Sequence, residues 1–289
     1  MKKIAILGCE NSHADTFLSF IYKQKVVDDV EVIGVYSDEE EAARKLNEKF
    51  GVAVAGSYDE FVGKVDGIII TARNGKNHLP YAAPYVSSGI PLFIDKPITN
   101  SEEDAIELMK MIKASGSKFT GGSSLPHSKD ITKLKEAIDG AKIGSVLGGY
   151  LRAPVSMVNN YGGFYFYSQH LVEMALKVFG YYPKSLKAYE NGKVITVIVR
   201  YENYDVTLEF TEGYWDYYAY VSGAKGILGG KVDTSTIFID EFNCFYKLLK
   251  GEDQEADPKD FIAPVFVINA ILRSLESGEE EKVNEIGEI

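Results

Sequence analysis

The chain has 289 residues, 45% hydrophobic and 25% charged, with a formal net charge of −11. It is long enough for two ordinary domains with sizeable cores. Its acidic balance argues against nucleic acid or an anionic membrane as partner, and no apolar run approaches the ~20 residues of a membrane span.

The first 121 residues alternate apolar strands with helices. Residues 3–7 read as a strand and 8–12 as a turn, with Ser12 capping a helix to about 23 and Asp15 in its first turn. A strand over 30–36 precedes a helix over 39–50 that Gly51 closes. Then come a short strand at 52–55, a short helix at 58–62, a strand at 66–71 and a helix at 79–88. Residues 90–94 form an apolar run after the helix-stopping Gly89 and end in Asp95-Lys96-Pro97. A strongly periodic helix over 101–115, capped by Asn100 or Ser101, leads to a strand at 118–121. Strands alternating with helices predict an α/β domain with a doubly wound parallel sheet, a dinucleotide-domain pattern. Ligands of such sheets sit beyond the carboxyl ends of the strands, where Lys96 stands.

After Gly121-Gly122 the pattern changes, so domains are expected at 1–121 and 122–289. A helix over 127–139, a strand over 144–153 and a helix over about 168–179 follow, the last two joined by a flexible turn at Tyr161-Gly162-Gly163. Residues 184–239 read as an antiparallel meander, with strands at 184–190, 194–201, 204–211 and 214–222 and more after Gly226. A polar connection over 251–260 leads to a closing helix over 261–277, whose Pro264 fits only the first turn. This half is expected to be an α+β domain with an open, mostly antiparallel sheet. Met1-Lys2-Lys3 precedes an apolar run too short for a signal peptide. Cys9 and Cys244 make no disulfide framework, which points to the cytoplasm, and no Cys or His pairs have metal-ligand spacing.

Gly8-Cys9-Glu10-Asn11-Ser12-His13-Ala14 lies where a Rossmann domain carries its phosphate loop. Of the usual three glycines only Gly8 remains; Glu10 takes the second place and His13 the third. A carboxylate at the close-approach position repels a pyrophosphate unless it turns outward, while the helix N-terminus still offers N–H groups and positive dipole. Gly8, Glu10, Asn11, Ser12 and His13 are the first cofactor-binding candidates. At the end of the second strand, Ser37 stands where an acid usually binds the adenosine ribose, and Asp38 follows. Asp38 opposes a 2′-phosphate, so of NAD and NADP the lean is to NAD. The competing reading gives both residues to the cap of the next helix.

At this point the chain resembles the Gfo/Idh/MocA oxidoreductases, the family of glucose–fructose oxidoreductase and inositol dehydrogenase. The likeness spans the chain: a Rossmann half, a strand ending in the equivalent of Glu-Lys-Pro (Asp95-Lys96-Pro97), a helix with a histidine, an open sheet and a terminal helix. It implies that Lys96 hydrogen-bonds the reacting hydroxyl. The family's Gly-Gly and Asp-x-Gly-x-His-x-x-Asp motif aligns with Gly162-Gly163 and with Phe166, Ser168, His170 and Glu173. Phe166 stands where the family has an acid, and Arg73 near its common proline, in a turn, Thr71 to His78, that is longer than usual.

The implied chemistry is hydride exchange with a sugar, cyclitol or related hydroxy compound. Such a reaction needs a base within reach of the hydroxyl with a pKa near working pH. His170 meets that without tuning, and Lys96 beside a cationic nicotinamide could relay the proton or polarise the oxygen. Lys96 and His170 are therefore the catalytic candidates. Thr71, Ala72, Arg73, His78, Asp95, Lys96 and Pro97 complete the cofactor-binding set. Lys76 and Asn77 are further contact candidates, and His127 reads as structural. The rival function is a relative that kept the fold but lost hydride transfer, serving as a ligand sensor or accessory subunit. Tyr214-Trp215-Asp216-Tyr217-Tyr218-Ala219-Tyr220 puts aromatics on both faces of one expected strand. Sugars stack on aromatics, but an aromatic sheet face is more often buried against another subunit, which predicts a homodimer or homotetramer through the C-terminal sheets; the rival is a monomer with a long exposed sheet.

Overall fold

β1 (Lys2–Leu7), β2 (Val30–Tyr36), β3 (Gly67–Ile70), β4 (Leu92–Asp95) and β5 (Phe119–Gly122) form a parallel sheet in the order β2-β1-β3-β4-β5. The structure, a computed structural model, describes residues 1–253 and 257–289, so part of the polar connection expected over 251–260 lies outside the described residues. β3 and β4 are buried along their whole length, as parallel strands between helix layers must be. The connecting helices are α1 (Ser12–Tyr22), α2 (Glu40–Phe50), α3 (His78–Val86) and α4 (Glu102–Ser115). Asn11, not Ser12, caps α1 by accepting the His13 N–H, and Ser101 caps α4 by accepting that of Asp104.

The strand expected over 52–55 shrinks to one parallel bridge, Val54 beside Val35. Gly51 and Gly56 bound the segment too closely for a longer ladder. The helix expected over 58–62 is a run of turns between Gly56 and Gly63, where Ser57 bonds locally to Asp59 at 2.5 Å. With the bridge outside β2, strand order reverses between β1 and β3. That reversal opens a crevice at their carboxyl ends.

The chain divides into two compact units, Met1–Gly122 with Phe238–Pro258 and Ile289, and Ser123–Ile237 with Lys259–Glu288. The second unit contains α5 (Lys129–Asp139), β6 (Val146–Val155), α6 (Tyr165–Phe179), β7 (Ser185–Asn191), β8 (Val194–Arg200), β9 (Asp205–Glu212), β10 (Tyr218–Gly223) and β11 (Gly226–Lys231). The chain continues with α7 (Ile237–Leu249), and α8 (Pro258–Ser277) and the two-residue strand β12 (Glu281–Lys282) complete the second unit. The sheet order is β11-β10-β6-β9-β8-β7-β12, antiparallel except where β6 runs parallel to β9. Ile195, Val197, Val199, Val206, Leu208, Phe210, Ala219 and Val221 alternate inward, as a sheet covered on one face requires.

Three expectations are corrected here. β10 begins at Tyr218, so Tyr214, Trp215, Asp216 and Tyr217 lie in its approach and do not alternate across a strand. α8 starts at Pro258, which puts Pro264 beyond the first turn; its missing N–H leaves the Asp260 carbonyl without a helical donor. The meander stops before Ile237, and α7 carries Phe242, Phe245 and Leu249 into the core of the first unit with Phe17, Phe20 and Phe93. Phe17 and Phe242 ring centroids are 5.5 Å apart. The helical stripe Phe238, Phe242, Phe245, Leu249 is the sequence signal for α7. Residues 238–258 therefore belong with the first unit, although the expected second domain ran unbroken over 122–289.

Candidate active site

In the first unit the turn after β1 carries Gly8 at φ +71°, where an added Cβ would lie 2.3 Å from the Ala72 nitrogen. Only glycine lets the two chain segments pass there. Thr71 donates its hydroxyl to the Gly8 carbonyl at 3.1 Å and closes the same crossing. Among the described residues, no protein acceptor takes the backbone N–H of Glu10 or Ser12 at the mouth of α1.

The Glu10 carboxylate lies to one side. It accepts the Ser37 hydroxyl at 2.7 Å and the Arg73 backbone N–H at 2.9 Å, tying the end of β2 to the turn after β3. Ser37 in turn accepts the Glu39 N–H at 3.0 Å. Asp38 accepts from the Tyr36 hydroxyl at 2.7 Å and so holds that phenol up to about 12. Ser37 and Asp38 thus both stand at the β2 end, and Ser37 also helps start α2.

Under the crevice is a buried polar cluster. Asp95, fully buried at the end of β4, accepts from Asn11 Nδ2 at 3.0 Å and from the Lys96 N–H at 2.7 Å. His13 Nδ1 stands 2.8 Å from Asp95 Oδ2, at ion-pair distance without the alignment of a hydrogen bond. Burial alone would raise the Asp95 carboxyl, but His13, Lys96 and the backbone N–H carry it below the usual carboxylate range. His13 also packs edge-on to Phe238 of α7, at 4.8 Å between centroids. At the third-glycine place the chain therefore has a side chain that joins α1 to β4 and α7.

Lys96, 3% exposed, follows through a cis bond to Pro97. Burial pushes its ammonium below the ordinary lysine value, Asp95 and the fully buried Glu241 of α7 pull it back up, and Arg73 lowers it further. A lysine so placed is a candidate proton carrier. His78 is different. It is fully buried, with Nδ1 3.1 Å from the Ile98 carbonyl and Nε2 2.9 Å from that of Ala72. Both ring nitrogens are engaged with backbone, so His78 binds two turns together and is not presented to a cofactor, contrary to expectation. Ala72 is likewise buried, as the segment against Gly8.

Of the site residues that the sequence nominates, His170 alone belongs to the second unit. It lies 5% exposed on α6, with its Nδ1 2.7 Å from the Ser123 hydroxyl oxygen. The Ser123 N–H donates to both Glu173 oxygens at 3.0 Å, and Gln169 donates to the same carboxylate. Phe166 packs on Tyr161 and Tyr167, while Tyr167 and Tyr217 meet the His170 ring edge-on at 5.3 and 6.3 Å. Sequence reasoning missed Glu241, Ser123 and Tyr217. The first had a signal in the stripe of α7; Ser123 had none.

Residues 2–123 match the family described as an oxidoreductase family with an NAD-binding Rossmann fold, Gfo/Idh/MocA. This Rossmann unit belongs to the Gfo/Idh/MocA family. No curated protein matches the sequence. Solved structures of similar fold include the scyllo-inositol dehydrogenase of Lactobacillus casei with bound NAD(H) and scyllo-inositol, at TM-score 0.85 and 15% identity over 98% of this chain and 99% of that one. The myo-inositol 2-dehydrogenase of Lactobacillus plantarum matches at TM-score 0.86 and 15% identity, over 98% and 99%. The myo-inositol dehydrogenase of Corynebacterium glutamicum does so at 0.82 and 17%, over 99% of each chain. These likenesses show that each unit has the fold of its counterpart in those structures.

The geometry of the Gfo/Idh/MocA unit suits a dinucleotide. The free N–H groups at the α1 N-terminus match a pyrophosphate, and Glu10 is held aside by Ser37 and Arg73. The residues present fit the cofactor.

Proposed function

We propose that the protein is an NAD(P)-dependent oxidoreductase that transfers hydride to or from a hydroxyl-bearing carbon of a sugar or cyclitol. The observation that carries this reading is the lateral anchoring of Glu10, which leaves the α1 N-terminus open in a unit that also holds the buried Lys96. The inositol dehydrogenases of like fold support the substrate class. The rival, a sensor or accessory subunit without hydride transfer, rests on Glu10, Phe166 and the missing glycines, and of these Glu10 is turned aside to Ser37 and Arg73.

Bound to the first unit, the dinucleotide supplies the hydride acceptor or donor. Gly8 and the α1 N-terminus bind the diphosphate, Glu10 and Asp38 face the adenosine ribose and favour NAD over NADP, and Arg73 and Pro97 flank Lys96. Asp95, with Asn11 and His13 on it, fixes the strand end from which Lys96 projects. Lys96 holds or moves the hydroxyl proton, and His170 is the second catalytic candidate. The half-exposed Tyr150, Tyr218 and Tyr220 on one face of the second sheet support assembly into a homodimer or homotetramer. Among the described residues no helix is long and apolar enough to cross a membrane. Two cysteines in a chain of this length make no disulfide framework, which supports a cytoplasmic location.

Calorimetric titration with NADH and NADPH, followed by turnover assays on inositols and aldoses, tests the reading. Binding of NADH with NAD-dependent oxidation of at least one polyol is expected. No binding of either reduced cofactor at millimolar concentration would overturn it.

A further inference from the structure

A histidine whose Nδ1 faces a carboxylate keeps its hydrogen on Nδ1 and leaves Nε2 free to accept a proton. In this chain Phe166 occupies the place of the family's acid, and its ring turns to Tyr161 and Tyr167. The group that meets His170 Nδ1, at 2.7 Å, is the hydroxyl of Ser123.

A hydroxyl can donate or accept, so its other partners decide the direction. Ser123 is 1% exposed, and its oxygen already accepts the Leu125 N–H at 3.1 Å. Among the described residues, the ring nitrogen of His170 is the one acceptor within reach of the hydroxyl hydrogen. Were Nδ1 the donor, the serine would carry a buried O–H with no acceptor, which native structures avoid. The hydroxyl is also held in position. The Ser123 N–H donates to both oxygens of Glu173, one turn along α6 from His170, and Gln169 steadies that carboxylate.

We propose that Ser123 donates its hydroxyl hydrogen to His170 Nδ1, so that neutral His170 carries its hydrogen on Nε2 and is a hydrogen-bond donor there, not the base. Ser123 is then a positioning residue and Glu173 positions it in turn. Within the oxidoreductase reading, on which the catalytic part rests, the proton-accepting role falls to the Lys96 amine. In alcohol oxidation the substrate O–H bond breaks, an N–H bond forms on the amine, and the Nε2–H bond of His170 stays intact.

The test is the tautomer itself, read on the cofactor-free protein labelled with ¹⁵N-histidine. Two-bond ¹H–¹⁵N spectra are recorded well above the usual imidazole pKa, and the His170 signals are assigned by their loss in His170→Gln. The proposal expects a pyridine-like Nδ1 and a pyrrole-like Nε2. Ser123→Ala should move both signals toward the averaged positions of a mixed tautomer, and Ser123→Thr, which keeps the hydroxyl, should restore them. A pyrrole-like Nδ1 in the wild-type protein overturns the proposal, as does a Ser123→Ala spectrum identical to wild type. If Ser123→Ala does not fold, the wild-type spectrum still decides. Because no turnover is measured, a protein that fails to oxidise any polyol leaves this result standing, and a wrong tautomer leaves the oxidoreductase reading intact.

Discussion

Glu10 accepts the Ser37 hydroxyl at 2.7 Å, so a carboxylate from the β1 turn stands at the end of β2, where the serine has replaced the usual acid. Loss of that charge should relax the choice of cofactor. Glu10→Gln is expected to raise the ratio of NADP to NAD affinity by about tenfold, ~1.4 kcal/mol. Calorimetric titrations of wild type and variant with both cofactors check this; an unchanged ratio removes Glu10 from the discrimination.

Lys96→Met should leave NAD affinity nearly intact while turnover falls by about 10²–10⁴-fold, the usual contribution of a positioned acid or base. Steady-state kinetics beside a binding titration separate the two effects. Equal turnover in the variant takes Lys96 out of the mechanism.

The same lysine makes a prediction about stability and pH. Burial lowers its pKa in the folded chain below the ~10.4 of the unfolded chain. Between those two values the unfolded chain binds more protons, so stability rises with pH through that window and is flat below the folded pKa. Urea unfolding at a series of alkaline pH values should show a rise that Lys96→Met lacks.

Asp95 runs the other way through acid. Its folded pKa lies below the ~3.9 of the unfolded chain, so its contribution is complete above ~3.9 and is lost as pH falls through the folded value. Asp95→Asn leaves His13 and Lys96 without their buried carboxylate and should cost about 3–5 kcal/mol at neutral pH, the penalty for breaking a buried pair. Chemical denaturation measures it. A loss below about 1 kcal/mol would mean that the cluster is open to water.

Phe242 is fully buried where α7 meets α1. Phe242→Ala should destabilise by about 3–5 kcal/mol in a thermal or urea melt. A smaller change would show that α7 does not complete the core of the first unit.

The local rules of the sequence were enough for the parallel unit. Strand-length apolar runs punctuated by Gly51 and Gly89 determine β1 to β5 and most of their helices, because period and turn chemistry act over a few residues. They also placed Lys96 at a strand end and the period-two sheet in the second half. Only the tertiary structure decided that α7 returns to the first unit, since its Phe stripe states that a face must be buried but not against what. Only it decided that Glu10 swings to Ser37, that His78 is locked between two carbonyls, and that a serine at position 123 meets His170. Each of those is a contact between residues distant in the chain, set by which backbone groups the fold brings into hydrogen-bond range, and no spacing along the sequence encodes that.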